Sequence, residues 1–479
     1  MAVELVYLIP EITVLLTALA VLVLDMFLPD ERKPEILAGV SIAGLMIAFA
    51  FAVNMLGERV VIMTGMYVVD AFGTVLKSAI LFGSVFSLLL GVGYLRKPNS
   101  QPGEYDFLML VSTFGMLIMC GSVNLLVTFM GIQLTSIPLY ILTGFKRGNV
   151  KSGEAALKYF LLGIMTAAVT LYGMSLIYGL TGTLQLPVIA GRLTQIRPDN
   201  PVLFIGMVFL IAGFSFKIAA VPFHFWAPDV YEGAPTCVSS FIAAVPKIAG
   251  FAVLARLVFT AFPEFTAQWM GLLAVMSVLT MVTGNILAIP QANIKRMLAF
   301  SGIAHVGYAL ITLAVPSHNS LGALVFYMFA YGAMTGGAWA VVTAVGRAIH
   351  DNRVESFAGL ASRAPVLAAA MTVFMLSMVG FPLTAGFVAK FLVFSAAVQK
   401  DYVWLAVVGV LNSVLSLFYY LNVIRQMYFK PSLKKSKVKV SALVWVIIGA
   451  AITVTVLMGV FPEPFVHLAR SISLLYAKI

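Results

Sequence analysis

Charge is scarce in this chain. Of its 479 residues only 10% are Asp, Glu, Lys or Arg, while 61% are apolar; a soluble domain carries about 25% charged residues. With a mean hydropathy of +1.02 there is too little polar surface to cover a water-exposed fold. That excludes a soluble enzyme, a nucleic-acid-binding protein and a disordered scaffold. Cysteine is nearly missing as well. Cys120 and Cys237 stand apart, inside or beside apolar runs and without CxxC spacing, so they read as small buried residues, with no framework for an iron–sulfur cluster or a zinc site. Acidic residues number 19 against 30 basic ones, yet no basic, aromatic-interleaved domain turns that excess into a nucleic-acid partner.

What the chain does have is long apolar runs. At roughly 20 residues per span, they predict an all-α polytopic membrane protein with fourteen helices. These lie near Leu5–Leu28, Ile36–Leu56, Phe72–Leu95, Phe107–Gly121, Leu125–Phe145, Ala155–Leu180, Val202–Val221, Val238–Phe262, Trp269–Ile289, Met297–Val315, Leu321–Ala348, Val366–Val398, Val403–Tyr428 and Val440–Phe461. The first run carries Glu11 and Asp25 and lacks a basic leader, so it reads as a retained helix. The longest polar gap, Leu184 to Asn200, reads as a loop. The whole of 1–479 is one transmembrane domain: helices 1–3 in 1–100, a first repeat of helices 4–8 in 105–262, a second of helices 9–13 in 268–428, and the last helix with a C-terminal tail in 440–479.

Loop charges give the orientation. With fourteen spans, one face collects Arg32, Lys33, Arg96, Lys97, Lys146, Arg147, Lys151, Lys295, Arg296, Arg347, Arg353, Arg363, Arg425, Lys430, Lys434, Lys435, Lys437 and Lys439, which is 18 of the 30 basic residues. The other face, which holds both termini, has six: Arg59, Arg192, Arg197, Lys400, Arg470 and Lys478. The positive-inside rule places the richer face in the cytoplasm and both termini outside. The KPSLKKSKVK run suits contact with anionic lipid on that face.

Six basic residues remain within spans: Lys77, Lys158, Lys217, Lys247, Arg256 and Lys390. A lysine at the centre of a membrane helix costs about 2.5 to 3.5 kcal/mol on insertion scales and marks a functional site by default. Arg256 and Lys77 approach helix ends and fit snorkelling side chains. Lys158 sits one turn into its helix and fits either reading. Lys217, Lys247 and Lys390 lie well inside AGFSFKIAAVPF, FIAAVPKIAGF and GFPLTAGFVAKFLVF, each with a proline nearby (Pro222, Pro246, Pro382). Proline frees a backbone carbonyl, and irregular backbone persists in a bilayer only where protein or a wet cavity surrounds it. Lysine precedes proline in the seventh span and follows it in the twelfth. Paired interrupted helices of this kind mark inverted repeats, here two five-helix units with broken helices 7 and 12. A lysine out of water can exchange a proton near neutrality, and His305 in AFSGIAHVGYAL adds an imidazole at membrane depth. Lys217, Lys247, His305 and Lys390 form a proton relay on this reading. Buried acids are nearly absent, which favours protons over metal ions.

FKIAAVPFHFWAPDVYEGAPT, with Lys217, His224, Trp226, Pro228, Asp229, Glu232 and Pro235, resembles the core signature of the antiporter-like membrane subunits of respiratory complex I, the proton-translocating NADH:quinone oxidoreductase. GNILAIPQANIKRMLAFSGIAHVGYAL and MVGFPLTAGFVAKF match the same family. Fourteen spans, SIPLYILTGF and GEAALKYFLLG look most like the subunit N type, and the resemblance covers nearly the full chain. It implies a translocase component without redox chemistry of its own, in the bacterial inner membrane beside other membrane-arm subunits. It implies no cofactor in this chain, NADH and quinone being used elsewhere in the complex. Lys217 then corresponds to the central channel lysine, Lys247 to its neighbour and Lys390 to the exit-side lysine, with His305 on the hydrophilic axis. One position departs. The family pattern has Glu in the fifth span where FMGIQLTSIPLYIL has Gln133, so Lys217 loses its charged partner. Asp106, Glu154 and Asp229 are not obviously placed to replace it.

Three other functions share these motifs or follow from the departure: a subunit of a multisubunit cation/proton antiporter, a subunit of a hydrogenase-type complex, and a non-pumping scaffold because of Gln133. A free-standing secondary transporter fits less well, since no substrate-shaped polar cluster is present. Asp229 and Glu232 read as a solvated cytoplasmic turn, with proton uptake at Asp229 as the functional alternative. Phe223, Phe225 and Trp226 suit a membrane interface.

Overall fold

A computed structural model describes residues 2–95, 101–197, 200–432, 438, 440–472 and 474. Arg96, Lys97, Lys434, Lys435, Lys437, Lys439 and Lys478, which the orientation argument used, lie outside the described residues, as does most of the KPSLKKSKVK run. In chain order the helices are α1 (Ala2–Val6), α2 (Ile9–Phe27), α3 (Lys33–Asn54), α4 (Ala71–Leu95), α5 (Pro102–Gly121), α6 (Leu125–Thr143), α7 (Val150–Thr181), α8 (Leu186–Leu193), α9 (Pro201–Ile218), α10 (Trp226–Gly233), α11 (Thr236–Arg256), α12 (Thr266–Ala288), α13 (Ile294–Ala314), α14 (His318–Ile349), α15 (Leu360–Arg363), α16 (Pro365–Val379), α17 (Ala385–Gln399), α18 (Val403–Phe429), α19 (Ala442–Val460) and α20 (Glu463–Ser471).

Thirteen helices among the described residues are long and apolar enough to cross a bilayer. They coincide with thirteen of the fourteen expected spans. The twelfth span, expected as a broken helix, is two shorter apolar helices, α16 and α17. The seventh is broken as well: α9 stops at Ile218 and the chain resumes helix at Trp226. Two expectations need correction. The Leu184–Asn200 gap contains α8, an amphipathic helix of eight residues that buries Leu186, Ile189 and Leu193. An antiparallel hairpin also escaped the sequence pattern, with β1 (Val60–Ile62) pairing β2 (Tyr67–Val69) in the register Ile62 to Tyr67. Its strands are three residues each, below the length at which alternation becomes readable.

The chain divides into two compact units. The first comprises Met1–Ile218, Val245–Met270 and Ile472–Ile479; the second Ala219–Ala244 and Gly271–Ser471. Within the first, α5 packs on α6, α7 on α9, and α2 on both α3 and α5. The α5–α6 seam shows how these helices associate. A Cβ on Gly115 would meet the Gly131 carbonyl and the Thr135 backbone at 2.7 Å, so the two backbones approach through glycine, as van der Waals packing between membrane helices requires. Within the second, α14 is the central rod: 32 residues, capped by Ser317 and Ser320 in a capping box, and packed on α16, α17, α19 and α20.

Candidate functional site

In the first unit, Lys217 lies in the last turn of α9, near the partial negative charge of the helix end. It is 4% exposed. Its ammonium donates to Ser136 Oγ at 2.6 Å, and that hydroxyl in turn donates to the Ile132 carbonyl. Gln133 lies one helical turn before Ser136, and Gln133, Ser136 and Lys217 line the same cleft with Tyr140, Thr166 and Thr170. The cleft has room for about one water. The structure thus brings Gln133 and Lys217 together, and adds Ser136, which sequence reasoning missed; its signal was the i, i+3 spacing from Gln133. Asp106 and Glu154 are engaged elsewhere in this unit, the first accepting from Ser41 at 3.2 Å and the second paired with Lys158 at 2.7 Å. Lys158 is half-exposed on the outer face of α7. Lys247 is 2% exposed and follows Pro246 inside α11.

Two basic residues expected to snorkel do not. Lys77 is buried and paired with Glu11 at 2.7 Å. Arg256 is buried and holds Asp70 through two hydrogen bonds, of 2.9 and 2.8 Å. Buried acids are therefore present: Glu11, Asp70 and Asp106 are each at most 3% exposed. The sequence reading held buried acids to be nearly absent; folding instead brings Glu11 to Lys77, Asp70 to Arg256 and Asp106 to Ser41, across separations no local pattern shows.

In the second unit, Lys390 of α17 donates to the carbonyl oxygen of Val379 at 2.7 Å. Val379 is the last residue of α16, so its carbonyl has no partner further along that helix. The turn between the half-helices uses Gly380 at φ +94° and Leu383 at φ +67°, and glycine is needed at the first for its left-handed conformation. The Lys390 ammonium also lies 4.5 Å from the centre of the Tyr308 ring. His305, on the same helix as Tyr308, is buried between two phenols: Nδ1 is 2.7 Å from Tyr327 Oη and Nε2 is 3.3 Å from Tyr420 Oη. A neutral imidazole donates to one and accepts from the other. Tyr420 Oη also bonds Ser301 Oγ. Beside them Asn285 donates to Tyr308 Oη and to Asn412 Oδ1, both at 3.2 Å, and accepts from Tyr419 Oη at 3.0 Å. None of these tyrosines or asparagines was singled out from sequence. The i, i+3 spacing of His305 and Tyr308 was the available signal.

The DVYEGAP segment is also corrected. It is not a solvated turn; Asp229 and Glu232 sit in α10, and Arg296 Nη1 reaches both carboxylates, at 2.6 and 3.1 Å. Lys295, assigned to a loop from sequence, is buried and caps the end of α10 by donating to the Glu232 and Ala234 carbonyls at 2.9 and 2.6 Å. At the proline of α11, the missing N–H leaves the Ile242 carbonyl without its helical donor. The Tyr231 hydroxyl donates to it at 3.4 Å, and Tyr331 donates to the neighbouring Ala243 carbonyl at 2.8 Å.

Comparison with known proteins bears on what this arrangement is. The family described as "NADH:quinone oxidoreductase/Mrp antiporter, TM" matches residues 122–416. NADH-quinone oxidoreductase subunit N of Trichlorobacter lovleyi is 45% identical over 424 residues, covering 88% of this chain and 87% of that protein. A chain of respiratory complex I from Thermus thermophilus is similar with a TM-score of 0.82 at 32% identity, covering 96% of this chain and 99% of that one. A chain of the Mrp complex from a Dietzia species shares the fold, with a TM-score of 0.87 at 20% identity over 98% of this chain and 97% of that one. A multi-pass helical membrane protein with these signatures and these relatives belongs to the NADH-quinone oxidoreductase subunit N family of antiporter-like membrane subunits.

Proposed function

We propose that this chain moves protons across a bacterial cytoplasmic membrane as a membrane-arm subunit of an NADH:quinone oxidoreductase, driven by quinone reduction in other subunits. The observation that carries this reading is the bonding of Lys217 and Lys390. Each is buried and hydrogen-bonded to a neutral acceptor, Ser136 Oγ in one case and the Val379 carbonyl in the other. An ammonium held this way can give up a proton without stranding a buried carboxylate, whereas breaking a buried ion pair costs about 3–5 kcal/mol. Lys247 and His305 complete the relay, with the phenols of Tyr308, Tyr327 and Tyr420 and the amides of Asn285 and Asn412 as bonded intermediaries in the second unit. Asp229 acts as a fixed partner of Arg296 on this reading and Lys158 as a surface residue. The two five-helix repeats of 105–262 and 268–428 each supply one broken helix. Both termini face the non-cytoplasmic side, following the 18-to-6 bias of basic residues. NADH and quinone act in partner subunits, and no cofactor is assigned to this chain.

The test is purification of the tagged chain from its own membranes in mild detergent, with partners identified by mass spectrometry. Flavin- and iron–sulfur-bearing subunits with NADH:quinone activity are the expected result. A Lys217→Ala variant in that assembly is expected to lower the number of protons moved per electron. Recovery with cation-antiporter subunits and no redox chain would replace the respiratory role with the antiporter one, which the shared family description favours as the second reading. An unchanged proton-to-electron ratio in Lys217→Ala would leave a scaffold.

A further inference from the structure

We propose that Ser136 is the positioning residue for Lys217, holding its ammonium in a cleft that supplies no carboxylate. The inference rests on the translocation reading above and names the residue on which Lys217 depends. Among the described residues Lys217 has one hydrogen-bond partner, Ser136 Oγ at 2.6 Å, and no ion pair. Gln133 lines the same cleft, yet its side-chain amide makes no hydrogen bond among the described residues. The partner role therefore falls one turn along α6, at position 136 rather than 133.

Local chemistry explains why a serine can fill that role. A hydroxyl has one hydrogen and two lone pairs. The hydrogen of Ser136 is committed to the Ile132 carbonyl at 2.5 Å, the back-bond to residue i−4 that serine makes inside a helix. What Ser136 turns toward Lys217 is thus an acceptor, and hydrogen bonds with one charged partner are the strong ones. Two hydroxyls of α7 are set the same way. Thr166 donates to the Leu162 carbonyl at 2.7 Å and Thr170 to the Thr166 carbonyl at 2.8 Å. Both line the cleft, so its hydroxyls offer oxygen lone pairs to a cation.

The frame around the cleft fixes where Ser136 points. The neighbouring Thr135 locks α6 against α5: its hydroxyl donates to the Gly131 carbonyl at 2.8 Å, and its own carbonyl accepts from Ser112 Oγ at 3.2 Å. The next residue lies about 100° further round the helix, which turns Ser136 away from α5 and toward Lys217 of α9. Glycines make the room. A side chain at Gly213 would collide with Thr170 Oγ1, and one at Gly163 with the Tyr140 hydroxyl. Ser136 is 2% exposed, so bulk solvent does not share in the bond.

The test uses Ser136→Val and Ser136→Thr in the assembled native complex, two side chains of nearly one shape of which only threonine keeps the hydroxyl. Ser136→Val is expected to lower the proton-to-electron ratio to the level of Lys217→Ala, and Ser136→Thr to keep the wild-type ratio. Adding Gln133→Glu to Ser136→Val supplies a second acceptor one turn away and is expected to bring the ratio back to that of Gln133→Glu alone. A wild-type ratio in Ser136→Val, beside a lowered one in Lys217→Ala, overturns this inference and leaves the translocation reading intact. An equal loss in Ser136→Thr, or a loss that Gln133→Glu does not relieve, shows a packing effect and also overturns it. An unchanged ratio in Lys217→Ala removes the translocation reading, and this inference with it. Should Ser136→Val not assemble, Ser136→Ala must show the same loss, and a wild-type ratio there overturns the inference equally.

Discussion

The ammonium of Lys390 is fastened to the carbonyl of Val379 at 2.7 Å, so the lysine of one half-helix caps the end of the other. On the proposed reading one side chain does two jobs: it caps the end of α16 and presents an exchangeable proton beside Tyr308. The jobs separate on mutation. Lys390→Met is expected to abolish the relay and to cost up to ~2 kcal/mol in lost helix-end stabilisation. Lys390→Arg is expected to keep the cap while still failing to move protons, because arginine stays charged. Acidification of inverted vesicles during NADH oxidation, set against thermal stability of the purified complex, separates the two.

Restoring a carboxylate at position 133 tests the cleft. Gln133 and Lys217 share it, so Gln133→Glu gives Lys217 an ionic partner in place of a neutral one. The expected outcome is a changed proton-to-electron ratio at unchanged quinone reductase activity in artificial-acceptor assays. Adding Lys217→Ala should erase the difference, and a double-mutant cycle in which the two effects simply add would refute a direct interaction.

Asp70 and Arg256 make a structural prediction. Asp70→Asn or Arg256→Gln leaves a buried charge without its partner and is expected to cost about 3–5 kcal/mol, seen as reduced assembly on native gels. The combined variant is expected to lose less than the sum of the two. Proton translocation per assembled complex should stay at the wild-type level.

The loop after α14 carries a pH dependence with a definite sign. Asp351 is held below the usual carboxylate range, chiefly by the Ser356 hydroxyl at 2.6 Å and then by Arg353. A depressed folded-state value means the contribution is complete above the ordinary carboxylate value of about 3.9 and is lost as pH falls through the folded one. Hydrogen exchange over residues 350–357 should therefore be slower in wild type than in Asp351→Asn at neutral pH, with the two converging in acid. Equal protection at neutral pH would refute it.

Much of this was legible from the chain alone. Apolar length placed the spans, because a bilayer forces whole helices and leaves little choice of register. The same logic marked Lys217, Lys247 and Lys390, since charge in a greasy run stands out. Partnership was not legible. Lys77 and Arg256 looked like snorkelling residues because Glu11 and Asp70 are 66 and 186 positions away from them in sequence, and only the packing of α2, α4 and α11 closes those gaps. The hydroxyl and amide network around His305 was hidden for another reason: tyrosine and asparagine are unremarkable in a membrane helix until neighbouring helices bring their polar tips together.

The proline in α11 changes what completes the turn before it. Pro246 cannot donate to the Ile242 carbonyl, and the Tyr231 hydroxyl supplies a donor there at 3.4 Å, while Tyr331 adds a second donor to the Ala243 carbonyl at 2.8 Å. Side chains from α10 and α14 therefore finish the hydrogen bonding of this turn, so a substitution at either tyrosine reaches the backbone of α11 as well as its own helix.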